Sequence, residues 1–379
     1  MGRGSSRRKD AQSKTPPPAT PRGGPGGSGG PHIPVGEPGQ AAAPRHRNDD
    51  LIEGIHESAD KLALDYPTRG DLKILARTIR ELRYAFKVFT PYRSTRKVTV
   101  FGSARTRPDD PCYAQAVKLG RLMAENGWLV VTGAASGIME AGHQGAGREH
   151  SMGLNIMLPF EQETNPVIAD DPKLVHMKYF FTRKLMFVKE CDAICLLPGG
   201  FGTLDEGMEV LTLIQTGKRT MIPVVFLDEP GGQFWRDFER FIHDKLLGRE
   251  MISPSDLSLF RLTDNVEEAV GEMLRFFRVY HSMRYVRERL VLRLARPIDE
   301  ELLGTLNQRF ADIVLRGAIE QRGPLPEEKD EPELADLPRL VFHFNRHDLG
   351  RLRQLIDCLN GSVELPPSVG QAVPDIFEQ

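Results

Sequence analysis

Between Val98 and Leu227, short apolar runs alternate with helical stretches, and most of the runs end in a glycine or polar loop. The runs are 98–101, 128–131, 153–158, 193–197 and 222–227, with a candidate short strand at 174–180. Between them, 113–126, 138–147 and 182–190 carry apolar or small residues at helical spacing. Strands that alternate with helices form βαβ units, and these build a parallel sheet covered on both faces. The expected fold class is therefore α/β, with a Rossmann-like parallel sheet and helices on both faces. Ligands bind such sheets beyond the carboxyl ends of the strands. The distinctive loops obey that rule: Gly102-Ser103, Gly133 through Ser136 and Gly137, Pro159-Phe160-Glu161, and Gly199 through Thr203. Four loops are expected to share one rim.

The most informative loop is Pro198-Gly199-Gly200-Phe201-Gly202-Thr203-Leu204-Asp205-Glu206, placed between a buried-looking run and a helix. Glycine lets backbone approach a ligand closely. The helix start beyond it presents unpaired N–H groups and a positive dipole end, which suit an anion. Glu206 is expected in the first helical turn. A phosphate cradle beside a carboxylate suits chemistry on a phosphorylated sugar or nucleotide. A plainer reading also fits, because Thr203-x-x-Glu206 matches a capping box.

Composition narrows the classes. The 379 residues carry 50 basic and 52 acidic side chains, a net charge of −2, so no basic excess points to nucleic acid as a partner. No run approaches the ~20 apolar residues of a membrane helix. Four cysteines, with Cys191-x-x-x-Cys195 lacking a second pair, fit a reducing, cytoplasmic compartment and no zinc site.

Four regions are expected. Residues 1–47 are rich in Pro, Gly and Ser and read as a disordered arm. Residues 48–92 read as a helical extension punctuated by Pro67 and Gly70, and 93–282 as the sheet domain. Residues 283–379 read as a small α+β appendage: a half-buried strand at 289–294, a helix at 298–315, a charged linker at 323–337, a strand at 340–344 and a helix at 349–359.

The glycine loop, with Arg183-Lys184 upstream, resembles the LOG family of nucleoside-5′-monophosphate phosphoribohydrolases, long labelled lysine decarboxylases. The resemblance extends over Phe101-Gly102-Ser103-Ala104-Arg105, Thr132-Gly133, Gly137-Ile138-Met139-Glu140, Leu158-Pro159-Phe160-Glu161-Gln162 and Phe180-Phe181-Thr182-Arg183-Lys184. It implies hydrolysis of the N-glycosidic bond of an AMP-like or cytokinin nucleotide, with Arg183 and Glu206 catalytic. It further implies nucleotide binding by Lys184, Glu161 and the Gly199–Thr203 loop with Asp205. Homodimers or larger even-numbered assemblies are implied, and neither a metal nor a cofactor is called for. The decarboxylase label finds little support, since that chemistry usually uses a Schiff-base lysine with pyridoxal phosphate, and the loop holds no lysine.

The chain departs from the family pattern in two places. Gly133-Ala134-Ala135-Ser136-Gly137 replaces Gly-Gly-Gly-Pro-Gly, so two methyl groups are expected to narrow the approach of backbone to ligand, and Ser136 to offer a hydroxyl. Gly207 is expected to weaken its helix by roughly 1 kcal/mol and loosen Glu206. A noncatalytic nucleotide or molybdenum-cofactor carrier of the same fold stays open as the alternative. A dinucleotide dehydrogenase is disfavoured, because Gly102-Ser103-Ala104-Arg105 is not G-x-G-x-x-G.

Overall fold

The computed structural model describes residues 48–157 and 164–361. The expected arm at 1–47, Glu161 and the end of the expected 153–158 strand lie outside the described residues. The chain divides into two compact units, 1–67 and 68–379. The first contains α1 (Asp49–Leu62), with Asp49 and Asp50 in its first turn and Lys61 in its last, a distribution that suits the helix dipole.

The second unit opens with α2 (Arg69–Phe89). Thr68 caps it in a reciprocal box with Asp71, so Gly70 sits inside the first turn and does not break the helix. Then follow β1 (Lys97–Phe101), α3 (Pro111–Glu125), β2 (Leu129–Thr132), α4 (Ile138–Ala146), β3 (Ser151–Ile156), β4 (Leu174–Met177), α5 (Phe180–Glu190), β5 (Ala193–Leu196), α6 (Phe201–Gln215), β6 (Val224–Leu227), α7 (Phe234–Phe241), β7 (Arg261–Thr263) and α8 (Val266–Phe276). The seven strands are all parallel and ordered β4-β3-β2-β1-β5-β6-β7. This is the expected Rossmann-like architecture. The order reverses between β1 and β5, which opens a crevice beyond their carboxyl ends.

Small residues bring α3 and α4 into close contact. A Cβ on Gly120 would lie 2.1 Å from Gly142 O, and one on Gly145 would lie 1.9 Å from Val117 O. The tight crossing sets the entry of α4, and with it the loop between β2 and α4.

The rest of the chain forms β8 (Tyr280–Val286), β9 (Arg289–Leu294), α9 (Glu300–Arg309), β10 (Glu320–Arg322), β11 (Arg339–Phe342) and α10 (Leu349–Leu359). Its antiparallel sheet runs β10-β11-β9-β8, two strands more than the sequence pattern suggested. The strand expected to be half-buried is buried on both faces. Leu290, Leu292 and Leu294 join the apolar cluster that also contains Ile194, Ile214 and Phe276 of the main sheet and its helices. On the other face Val291 packs with Val286, Leu325 and Val341. Residues 323–337 are thus a cover on the sheet and not a linker: Glu328 is buried there, 2.8 Å from Arg293 and 3.2 Å from Arg339. Among the described residues no helix is long and apolar enough to cross a membrane.

Gly145→Ala is expected to cost about 1–3 kcal/mol, because the added methyl meets backbone that cannot yield. Gly304→Ala, on the exposed face of α9 with nothing within 4 Å, is expected to stabilise by up to ~1 kcal/mol. Paired thermal melts check both; equal melting temperatures would refute the tight crossing.

Candidate active site

Three of the four expected loops meet at the strand-order reversal. Ser103, just after β1, donates its N–H to Pro198 O at 3.1 Å and accepts from Ile138 N at 3.0 Å. Ser136 Oγ donates to Ala104 O at 2.9 Å. The loops after β1, β2 and β5 are therefore stitched around one cavity of about 770 Å³. Gly102, Ser103, Gly133, Gly199, Gly200, Gly202, Thr203, Arg183 and Glu206 all line it. Ser136, Gly137, Lys184 and Asp205 do not, and Glu161 lies outside the described residues.

The glycines make the room. A Cβ on Gly199 would sit 2.1 Å from Thr203 Oγ1, and one on Gly102 would sit 2.6 Å from Ile138. Gly137 has φ +66°, and a Cβ there would meet Ser103 O at 2.3 Å. Only glycine fits a left-handed position that is also packed against backbone.

Helix α6 starts earlier than the sequence pattern suggested. Its N-cap is Gly200, with no side-chain cap. Thr203 is the third helical residue, and Glu206 lies in the second turn. The capping-box reading therefore fails, and the N–H groups of Phe201 and Gly202 precede the first backbone bond, from Thr203 N to Gly200 O. Gly207 is likewise not a weak point. A Cβ on it would lie 2.6 Å from Leu196 Cδ2, so its bare face seats α6 on β5.

Glu206 is only 4% exposed. Lys184 Nζ lies 3.4 Å from its Oε2, an ion-pair contact that lacks hydrogen-bond alignment. Lys184 is committed more strongly to Asp205 at 2.9 Å and Glu209 at 2.7 Å, and so ties α5 to α6. Burial pushes the Glu206 carboxyl above its ordinary value, against the pull of Lys184 and Arg183. The Arg183 guanidinium rests 5.0 Å from the Phe180 ring and 5.6 Å from the Phe187 ring. Burial lowers its pKa, while Glu206 and Asp205 work to raise it. Arg183 Nε and Glu206 Oε2 are buried without a protein hydrogen bond.

The altered loop after β2 points its methyl groups away from the cavity. Ala134 and Ala135 are buried, and Ala134 packs with Ile168 and Leu174. They do not narrow the approach to ligand. A buried polar network holds the loop: Ala134 N donates to Thr132 Oγ1 at 2.9 Å, and Asn165 Nδ2 donates to Ala135 O at 3.2 Å and to His143 Nδ1, also at 3.2 Å. Burial lowers His143 to about 4, so the ring is neutral and its Nε2–H serves Met152 O. Ser136 likewise acts on a neighbouring loop.

Sequence reasoning missed the aromatic wall. Phe101, Phe180, Phe187, Phe201 and Phe234 line the cavity, and Phe201 is 93% exposed at its mouth. Phe201 and Phe180 stood inside quoted motifs, whereas nothing local marks Phe234. Arg105 also lines the mouth and makes no ion pair among the described residues. Away from the cavity, Asp110, Cys112 and Glu229 bring ligand-type atoms within 4.8 Å of one another. Asp110 there accepts from Cys112 N at 2.8 Å, and burial with neighbouring carboxylates pushes the Cys112 thiol up to about 12.

A family model described as possible lysine decarboxylase matches residues 132–273. The chain is 30% identical over 171 residues to the cytokinin riboside 5′-monophosphate phosphoribohydrolase LOG7 of Arabidopsis thaliana, covering 43% of this chain and 74% of that one. It is 30% identical over 185 residues to LOG3 of the same plant, covering 47% and 81%. The chain belongs to the LOG family. The matched residues 132–273 hold most of the cavity lining, Phe101 to Arg105 precede them, and α2 and the antiparallel sheet lie on either side in the chain. Among solved structures, the molybdenum cofactor binding protein of Rippkaea orientalis aligns with 19% identity and a TM-score of 0.34, over 47% of this chain and 94% of that one.

The raised Glu206 carboxyl has a consequence for stability. The folded state binds its proton more tightly than the unfolded chain does. Stability from this group is therefore full in acid and falls as pH rises from about 4.5 through the raised folded value. Glu206→Gln is expected to be at least as stable as the native chain at pH 7, with the difference closing toward pH 4 in paired melts. A less stable Gln variant at pH 7 would mean that the Arg183 and Lys184 charges outweigh burial.

Proposed function

We propose that this chain hydrolyses the N-glycosidic bond of a nucleoside 5′-monophosphate, AMP or a cytokinin nucleotide, to free base and ribose 5-phosphate. The observation that carries the reading is the placement of Glu206 and Arg183 in one cavity with the open start of α6. The N–H groups of Phe201 and Gly202, with the Thr203 hydroxyl, hold the 5′-phosphate. Ser103 Oγ accepts from Arg105 N at 3.1 Å, which leaves its proton to donate. Glu206 lies about five residues along α6 from that anion site, some 7.5 Å at ~1.5 Å per residue, a gap that a pentose bridges. The base then lies against the aromatic wall.

Bond breaking leaves the electron pair of the C1′–N bond on the base, which takes up a proton. Water supplies the oxygen that bonds to C1′. The Glu206 carboxylate offsets the oxocarbenium charge and accepts the proton of the attacking water. Arg183 orients the ribose hydroxyls and holds the carboxylate in place. Relatives whose names describe cytokinin riboside 5′-monophosphate phosphoribohydrolases support this reading. A noncatalytic carrier would bind nucleotide without needing a raised carboxyl beside an arginine.

The purified chain is expected to release adenine and ribose 5-phosphate from AMP, and to turn over adenosine far more slowly. Glu206→Gln is expected to lose roughly a hundredfold or more in kcat while still binding AMP. Chromatography of the released base checks both. Equal turnover of adenosine and AMP would sink the phosphate anchor, and AMP binding without turnover would favour the carrier.

The proposal extends to a cytoplasmic homodimer or larger even-numbered assembly. Leu75 and Ile79 of α2, together with Phe181 and Leu185 of α5, leave apolar surface exposed. A second copy of this chain is its proposed occupant. Because Leu75 and Ile79 are exposed, the pair Leu75→Asp and Ile79→Asp is expected to weaken assembly without unfolding the chain. Light scattering that finds the native chain active as a monomer would refute this.

A further inference from the structure

Helix α5 carries Arg183, yet its own N-terminus has no side-chain cap: Tyr179 occupies the N-cap position and offers none. A carboxylate from another helix instead anchors the residues around that end. Glu81 of α2 accepts from Lys178 N at 2.9 Å through Oε1 and from Thr182 Oγ1 at 2.8 Å through Oε2. Arg77, one turn earlier on α2, donates Nε to the same Oε1 at 2.7 Å.

The placement of this carboxylate is unusual. The buried residues of α2 are Glu81, Ala85 and Phe89, spaced along one face, so an acid occupies a seam that packing alone would fill with an apolar side chain. Burial by itself would raise the Glu81 carboxyl. The bonds from Arg77, Lys178 N, Thr182 and Tyr179 N outweigh burial and hold it below its ordinary value. It is thus an anion at the positive end of α5.

Thr182 is fully buried and stands directly before Arg183. The guanidinium is framed by Phe180 on one side of Thr182 and by Phe187 one turn onward. Any fraying of the first turn of α5 would move Phe180 and Arg183 together. We propose that Glu81 is a positioning residue for Arg183, anchoring the start of α5 from α2 so that the guanidinium is aimed into the cavity beside Glu206. The inference rests on the reading of Arg183 given above. It gives part of the helical segment that precedes the sheet a role in the site.

The test uses the full chain in four forms: native, Glu81→Ala, Glu81→Gln and Thr182→Val. Two quantities are read. One is kcat and KM for AMP. The other is the rate at which phenylglyoxal modifies Arg183, followed by peptide mass spectrometry, which needs no turnover. Glu81→Ala is expected to lower kcat by roughly tenfold to a hundredfold with little change in KM, the scale of a small misplacement of a reacting group. Arg183 should be modified faster in the same protein. Glu81→Gln keeps one acceptor oxygen and should recover most of both. Thr182→Val, nearly isosteric, should shift both in the same direction by less, and it keeps the test open if Glu81→Ala does not fold. Native rates of Arg183 modification in Thr182→Val and in whichever Glu81 variants fold would overturn the proposal. A native chain with no AMP turnover would instead refute the proposed reaction, and the modification rates would still decide the role of Glu81.

Discussion

Ser103 sits where the strand order reverses and spends both of its backbone groups there. Its N–H reaches Pro198 O and its C=O takes Ile138 N. One residue after the central strand thereby joins the loop of β5 to the start of α4. The cavity exists because these loops cannot drift apart, and they can come this close because Gly102, Gly137 and Gly199 carry no Cβ. The positions of Glu206 and of the open N–H groups on α6 follow from that stitching.

Charges in the molecule are handled in two ways. Around the cavity they are left partly unspent: Glu206 Oε2 and Arg183 Nε are buried without a protein hydrogen bond. Such groups are costly in a folded chain and mark places where a polar ligand would be welcome. Away from the cavity the buried charges are paired with opposite charges, although Arg353 Nη1 and Arg219 Nε are also left without a hydrogen bond. Glu328 takes Arg293 and Arg339 beneath the cover of the second sheet. Arg353 of α10 pairs with Glu272 of α8 and, at 3.0 Å, with Asp357. Paired buried ions add little net stability, but breaking one is expensive. The Glu328 cluster fastens the cover to the antiparallel sheet, and the Arg353–Glu272 pair ties α10 to α8 beside the main one. That attachment reaches the site helix from behind: Gln215, the last residue of α6, donates to Asp256 at 2.8 Å, and the segment around Asp256 packs against Gly350 of α10.

Much of this was legible in the residue order. Strands buried on both faces read as apolar runs, and period and glycine punctuation located six of the seven parallel strands and most of their helices. The glycine loop was legible for the same reason, since a local backbone demand leaves a local signature, whereas Arg183 was reached through the resemblance to the LOG family. The misreadings share a cause. Thr203-x-x-Glu206 fits a capping box, but the helix begins at Gly200. Gly207 looks like a weak helix residue, but Leu196 fills the space beside it. Ala134 and Ala135 look like obstacles, but a left-handed φ of +58° at Ala134 goes with a methyl buried against Ile168. Residues 323–337 look like a linker, but Leu325 and Glu328 are buried. In all but the first case a neighbour from another element decided the outcome.

The sequence by itself determined the layered α/β architecture, the rim on which the loops fall, and the pairing of a glycine cradle with an acid. These depend on periodicity and on backbone demands that act within a few residues. The tertiary structure alone decided which side chains face the cavity, that Lys184 is absorbed by Asp205 and Glu209, that Phe234 joins the wall, and that Glu81 accepts from Lys178 N and the Thr182 hydroxyl about a hundred residues away. Those outcomes depend on desolvation and on donor–acceptor distances between segments far apart in the chain, and no local pattern encodes them.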